Sequence, residues 1–371
     1  MTHAKQGNAI GYDVNYDVLD DFKRQALQAA RETAEGLKKA GFKEIPESRG
    51  ESVYLIEGHG MILAFVVEGL GTLNKIAEDM LVLTGESYMA QIMRANHATI
   101  LNDLAVCGAY PLVANNLISV GDERWFANEQ ARADLVQGWK DACIEVGCSW
   151  GGGETQKLRD IVVPSSAVLG GAAMGIIKPK NRRIRGNVQD DDALVVVHSS
   201  GIHANGVTMA RDVAKMLPDG FLTRLPNLQT FGDALLKAPH VLYGPLIQAA
   251  LDAKIPLHYA SNITGHGWRK GMRLNADFTY CFDVLPKPQP VFEFIQEHSG
   301  ASNRKMYETF NMGGGCLFAL PNKHSGHFMD VIKKLGYEAT YAGYVEKGKR
   351  AVVMPQGSDI GVFESEEYQV R

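Results

Sequence analysis

Four short segments concentrate the residues that could do chemistry: EGLGTLNK (68–75), GGGET (151–155), SGIHANG (200–206) and ITGHG (263–267). Glycine lets backbone amides converge on an anion without a Cβ in the way, and a helix starting after such a turn adds its positive end. Phosphate binding is therefore physically reasonable at each. The competing reading is that the glycines only permit tight turns, and for any one segment alone that is the more economical account. None is a GxxxxGK[ST] phosphate loop, and no GxGxxG opens a helix after a first strand, so the common nucleotide signatures are absent.

Carboxylates accompany these segments. Glu68 and Glu154 lie within two of them, and Asp103 falls in the last turns of a helix expected over 88–106, where a negative side chain is disfavoured. Two neutralisers are open. One is Mg2+, for which Glu68, Asp103 and Glu154 with phosphate oxygens and water form a suitable hard set; the other is a local N–H or arginine partner for Asp103.

The elements that must position these residues follow from hydrophobic periodicity. Helical spacing predicts amphipathic helices over 19–40, 88–106 and 129–146, each closed by a glycine or a Gly/Pro stop. Strands are expected at 52–58, 61–69, 111–120 and 166–177. The polar stretch KPKNRRIRGNVQDDD (178–192) reads as a domain junction, with a basic phosphate clamp as the sharper alternative to a solvated face. In the second half the spacing predicts a strand, turn and helix across 195–217, helices at 231–253, 290–298 and 325–335, and strands near 278–285, 314–320 and 339–345. The acidic, aperiodic end GSDIGVFESEEYQVR (357–371) reads as a surface extension.

A chain of 371 residues is expected to form two domains. Its net charge of −4 provides no field for nucleic acid or anionic membrane, so small molecules are the expected partners. The start lacks a signal-peptide order and no apolar run is long enough to span a bilayer, which predicts a cytoplasmic location. Five cysteines, Cys107, Cys143, Cys148, Cys281 and Cys316, are scattered without a CxxC pair, which argues for reduced buried thiols and against a structural zinc site.

Taken in order, EGLGT, ILND, GGGET, SSGIHANG, ITGHGW and MYETFNMGGG resemble the aminoimidazole ribonucleotide synthetase (phosphoribosylformylglycinamidine cyclo-ligase) family over roughly residues 50–355. The resemblance implies a two-domain α+β fold. Residues 1–180 would bind ATP and dimerise through a sheet that forms a barrel at the interface, 181–356 would be a substrate-binding mixed α/β sandwich, and 357–371 an acidic tail. It also implies ATP-dependent closure of the imidazole ring of formylglycinamidine ribonucleotide by a homodimer in purine biosynthesis, with the formyl oxygen activated as an iminophosphate. By the same resemblance Glu68, Asp103 and Glu154 would hold Mg2+ and ATP phosphates, and Gly69, Gly71, Thr72, Asn102 and Thr155 would line that pocket. Ser200, Gly201, His203, Asn205, Gly206, Thr264, Gly265 and Gly267 would hold the phosphorylated ribonucleotide. Asp103 and His203 would be catalytic, and Asn311, Gly313 and Gly315 architectural.

The chain departs from the family's DGVGTK motif, with Glu68 for Asp and Leu73 for Lys, and replaces its glycine-rich N-terminal loop by PESRGESVYLIEGHG. Losing the lysine's charge-assisted hydrogen bond costs roughly 1.5–3 kcal/mol unless Lys75 substitutes. These departures motivate a second reading, a non-catalytic or divergent paralogue that binds a phosphorylated ligand.

Overall fold

The computed structural model describes residues 16–367; the parts of the expected N-terminal region and acidic tail at 1–15 and 368–371 lie outside them. Helix α1 (Tyr16–Glu32) continues into a 3-10 segment, Thr33–Ala40, and the left-handed Gly41 ends it as its position suggests. Six strands follow: β1 (Phe42–Glu44), β2 (Tyr54–Gly58), β3 (Met61–Gly69), β4 (Tyr110–Val120), β5 (Ser149–Lys157) and β6 (Ala167–Ile177). They form one sheet in the order β1-β2-β3-β6-β4-β5, antiparallel except for the β4–β5 pair. Helices α2 (Leu73–Thr84), α3 (Met89–Ala105) and α4 (Glu129–Val146) belong to this half, and α3 lies against β3 and β6.

Alternation along β3 shows which face is covered. Ile62, Ala64 and Val66 are buried toward α3, whereas Phe65 and Val67 are exposed on the opposite face. Gly171 of β6 is on the covered face, because a Cβ there would lie 2.9 Å from the Ile100 side chain.

The second sheet is built from β7 (Asp192–His198), β8 (Tyr259–Asn262), β9 (Phe278–Phe282), β10 (Gly314–Pro321), β11 (Ala339–Lys347), β12 (Ala351–Val353) and β13 (Val362–Glu364). Its order is β13-β12-β9-β11-β7-β10-β8. The continuous apolar run ALVVV in β7 is fully buried, as expected of a central strand covered on both faces. Helices α5 (Val207–Met216), α6 (Phe231–Leu236), α7 (Gly244–Asp252), α8 (Pro290–Ser299), α9 (Asn303–Thr309) and α10 (Ser325–Lys334) complete this half. One hydrophobic core runs from the first sheet through α2 and α3 into α6 and α8, and a smaller core joins α7 and α10 to β7 and β10.

Several sequence expectations are corrected. GGGET is not a turn but part of edge strand β5. Its glycines answer to space, since a Cβ on Gly153 would sit 2.3 Å from the Asn116 carbonyl oxygen. The single helix expected at 231–253 is two, α6 and α7, and Pro239 lies in the break between them. The stretch at 357–367 is not a surface extension, because β13 pairs with β12 and Phe363 is fully buried beneath the Arg304 guanidinium. Three of the five cations of the 178–192 segment pair with carboxylates, Lys180 with Glu57, Arg182 with Asp252 and Arg183 with Glu47, which favours the solvated face over a phosphate clamp there.

Truncating a fully buried phenylalanine costs roughly 3–5 kcal/mol. Phe363→Ala should lower the stability measured by urea denaturation by that amount, whereas Val82→Ala, at an exposed position, should change it by less than about 0.5 kcal/mol.

Candidate functional site

Three of the four glycine segments meet at one cavity of about 280 Å3. Gly71 and Thr72 enter from the β3–α2 turn, Asn205 and Gly206 from the β7–α5 turn, and Gly265 and His266 from the segment after β8. The last two face each other closely, since a Cβ built on Gly265 would lie 3.9 Å from the Asn205 Oδ1. Gly206 adopts a left-handed backbone (φ 70°), and its missing side chain makes room for the Phe310 ring, which would lie 2.0 Å from a Cβ. Helix α5 starts immediately after it, so its free amides and positive end border the cavity.

Arg269, Lys305 and Glu308 also line this space. Arg269 donates to the His266 and Glu308 carbonyl oxygens at 3.2 Å, which anchors the guanidinium at the wall. These side chains were missed in the sequence. The available signal was their position beside recognised motifs, Arg269 two residues after ITGHG and Lys305 just ahead of MYETFNMGGG.

Behind the cavity, buried Asn311 ties the turn to β10. Its Oδ1 accepts from Ser199 Oγ (2.8 Å) and the Gly313 N–H (3.1 Å), its Nδ2 donates to the Gly201 carbonyl (2.9 Å), and its own carbonyl accepts from Trp268 Nε1 (2.9 Å). The hydroxyl of Ser200 donates to the Pro239 carbonyl at 2.6 Å. Ser200, Gly201, Thr264 and Gly267 thus build the turns without lining the cavity.

His203 is likewise turned away. Its Nε2 lies 3.1 Å from the Ser200 hydroxyl oxygen and 3.3 Å from the Ser200 N–H, and the ring stacks on His240 at 4.6 Å. Burial pushes its pKa down to about 4, and that of His240 well below the usual histidine value. A neutral ring engaged inside the turn is placed to hold it, and the expected acid–base role finds no geometric support.

The carboxylates are divided. Strand pairing runs Glu68–Gly171–Asn116–Gly153, which places Glu68 on the same face as Gly153 and Glu154 on the other, three strands or roughly 14 Å across the sheet. Both residues border a concavity of about 540 Å3, but Asp103 does not. Asp103 is buried and accepts from Asn262 Nδ2 at 3.3 Å, the local N–H partner that stood as the alternative to a metal. Within one chain the expected set Glu68, Asp103 and Glu154 is therefore not assembled.

Asn102 lines neither the cavity nor the concavity; it donates to the Val241 carbonyl (2.8 Å) and accepts from the Tyr243 N–H (2.9 Å). Thr155 is exposed on β5, and Gly69 borders the concavity rather than the cavity. Lys75 lies on α2 with its amine on Asp79 at 2.7 Å, so it does not take the place of the lysine replaced by Leu73. Among the described residues, one group of three His, Cys, Asp or Glu side chains does converge: His97, Cys143 and Cys148, with ligand atoms all within 4.8 Å. All five cysteines are free and four of them buried, as expected, but their sequence spacing gave no hint that Cys143 and Cys148 meet beside His97.

Residues 61–177 match the profile of the AIR synthase related protein N-terminal domain, and residues 189–355 that of its C-terminal domain. A phosphoribosylformylglycinamidine cyclo-ligase of Methanocaldococcus jannaschii is 31% identical over 250 residues, 66% of this chain and 69% of that protein. The chain belongs to the AIR synthase related family. Another member, a phosphoribosylformylglycinamidine cyclo-ligase of Rippkaea orientalis, is 28% identical over 339 residues, covering 89% of this chain and 93% of its own. The AIR synthase related fold is shared with a hydrogenase maturation protein solved in complex with ATP (TM-score 0.57, 15% identity, 79% of this chain and 81% of that one). This α+β architecture is the one the sequence resemblance implies.

The two histidines set a pH dependence. Unfolded histidine takes up a proton near pH 6.5, whereas half-buried His203 and buried His240 take it up only at lower pH, so their contribution is complete above that pH and is lost as pH falls toward 4. Up to about 3 kcal/mol is expected from His203 alone, at 1.36 kcal/mol per pKa unit. In urea denaturation across this range, His203→Asn, which tolerates the left-handed backbone at this position (φ 54°), should flatten the slope.

Proposed function

We propose that this chain closes the imidazole ring of formylglycinamidine ribonucleotide to give aminoimidazole ribonucleotide, with ATP as phosphoryl donor, in purine biosynthesis. The observation that carries the reading is the convergence of glycine turns from both halves, with Arg269 and Lys305, on one cavity. Such a wall suits an anionic sugar-phosphate beside a nucleotide. The relatives' shared name supplies the reaction class.

Phosphorylation of the formyl oxygen makes it a leaving group, and a nitrogen of the same substrate displaces phosphate as the ring closes. This chemistry asks the protein mainly for positioning and charge. The amides at the start of α5, Asn205 and the two cations hold the sugar-phosphate, and Thr72 with the Gly69–Gly71 turn faces the nucleotide. Asp103 acts at one remove, fixing Asn262 at the end of β8 and so the turn that follows it. Mg2+ is proposed to arrive on the nucleotide phosphates with Glu68 as its protein ligand, since this metal commonly takes one or two carboxylates plus phosphate oxygens.

The homodimer and the cytoplasmic location belong to the same proposal. Phe65, Val67 and Val168 expose apolar surface on the uncovered face of the first sheet, the kind of patch that a second copy covers. Glu154 lies on that face, so dimerisation would bring it between two sheets. No helix among the described residues is long and apolar enough to cross a membrane.

Purified protein should release ADP only when formylglycinamidine ribonucleotide is present; an equal rate without it would overturn the assignment. Arg269→Ala and Lys305→Ala should each raise the KM for the ribonucleotide by roughly 10- to 150-fold, the worth of one charge-assisted hydrogen bond, with a smaller effect on that for ATP. A patch-breaking Val67→Asp change should shift the sedimentation coefficient from dimer to monomer. Saturable Mg-ATP binding by calorimetry would count against the non-catalytic reading.

A further inference from the structure

The His97–Cys143–Cys148 cluster lies outside every residue used above. Its assembly follows from local structure. Helix α4 ends at Gly147 (φ 75°), and the Cys148 N–H donates to the Cys143 carbonyl at 3.0 Å, which folds Cys148 back over the last helical turn. His97 comes from the neighbouring α3. The two helices pack closely because Gly138 has no side chain; a Cβ there would lie 2.2 Å from the Ala90 carbonyl oxygen.

We propose that His97, Cys143 and Cys148 form a binding site for one thiophilic metal ion, zinc, that ties α3, α4 and β5 together. The distances match a metal polyhedron. His97 Nε2 lies 3.5 Å from Cys143 Sγ and 3.7 Å from Cys148 Sγ. Tetrahedral zinc with bonds of about 2.3 Å to sulfur and about 2.0–2.1 Å to nitrogen has S···N edges of about 3.6 Å. Two thiols and an imidazole without a carboxylate select a soft or borderline ion over magnesium, so this site is distinct from nucleotide-borne Mg2+.

The imidazole has little else to offset its burial. His97 is fully buried, its Nε2 meets only the two sulfurs, and its Nδ1 has no hydrogen-bond partner among the described residues. Weak thiol contacts compensate poorly for a polar ring removed from water, whereas a metal bond at Nε2 would satisfy that nitrogen directly. Cys148 is half-buried, which opens a path for the ion and leaves the fourth position to solvent. The site adjoins the functional sheet, because β5 begins one residue after Cys148 and carries Glu154.

Metal-stripped, reduced full-length protein titrated with Co2+ should develop a thiolate-to-cobalt charge-transfer absorption and the visible bands of a tetrahedral ion. Both should saturate at one equivalent and be bleached by one equivalent of Zn2+. Trp139, whose ring meets His97 edge-on at 5.0 Å, should report the same titration by fluorescence. Cys148→Ser, at the half-buried and more tolerant position, should weaken binding at least about tenfold, and Cys281→Ser should leave it unchanged. Folded protein by circular dichroism with no charge-transfer band would overturn the proposal. So would a band that survives Cys143→Ser/Cys148→Ser, or a Cys143–Cys148 disulfide formed in place of metal uptake. The readout is independent of turnover, so failure here leaves the cyclo-ligase reading untouched.

Discussion

One buried amide governs the geometry of the cavity. Asn311 engages Ser199, Gly201 and Gly313 through its side chain and Trp268 through its carbonyl, so three segments meet at a single fully enclosed residue. A polar group in that position is tolerated only because its hydrogen-bonding capacity is met, and removing any one partner strands the others in a low-dielectric interior. The turn with left-handed His203 and Gly206, the seat for the Phe310 ring and the entry of α5 all follow directly on the segment it holds. The site is thus specified by a hydrogen-bond junction behind the cavity as much as by the residues that line it.

Sheet geometry imposes the second constraint. Side chains alternate across a strand, so residues that look equivalent in sequence are separated once register is set. Glu68 and Glu154 each stand in a glycine-rich segment, yet pairing through β6 and β4 sends them to opposite faces. The covered face serves the core beneath α3. The open one presents apolar side chains together with Glu154, a combination suited to an intermolecular contact.

Much of this architecture was legible in the chain. Strands β3, β4, β6 and β7 are short β-branched or apolar runs between turn residues, and α3 and α4 show helical spacing, so composition and period agree with the fold there. GGGET misled because consecutive glycines signal a turn, while their purpose is close approach to Asn115 and Asn116 in a neighbouring strand, a requirement no local pattern reveals. At the site, the glycine turns were identifiable, but the roles of individual residues were not. Asn102, Ser200 and His203 look like ligand contacts in sequence and prove to be internal ties, because a polar side chain's partner depends on elements up to 141 residues away. The histidine–dithiol cluster was invisible for the same reason: it needs a helix end, a reversal at Gly147 and a second helix.

The long helix α3 also limits how the molecule can breathe. From one end to the other it is tied to the 233–243 segment of the second half: the hydroxyl of Tyr88, at its N-terminal cap, donates to Asp233, Arg94 to the His240 carbonyl, and Asn102 to the Val241 carbonyl. Swinging the halves apart about the connector at 178–192 would break all of these together. Opening the halves would therefore cost three hydrogen bonds at once, whereas an excursion of a glycine turn at the cavity leaves all three in place.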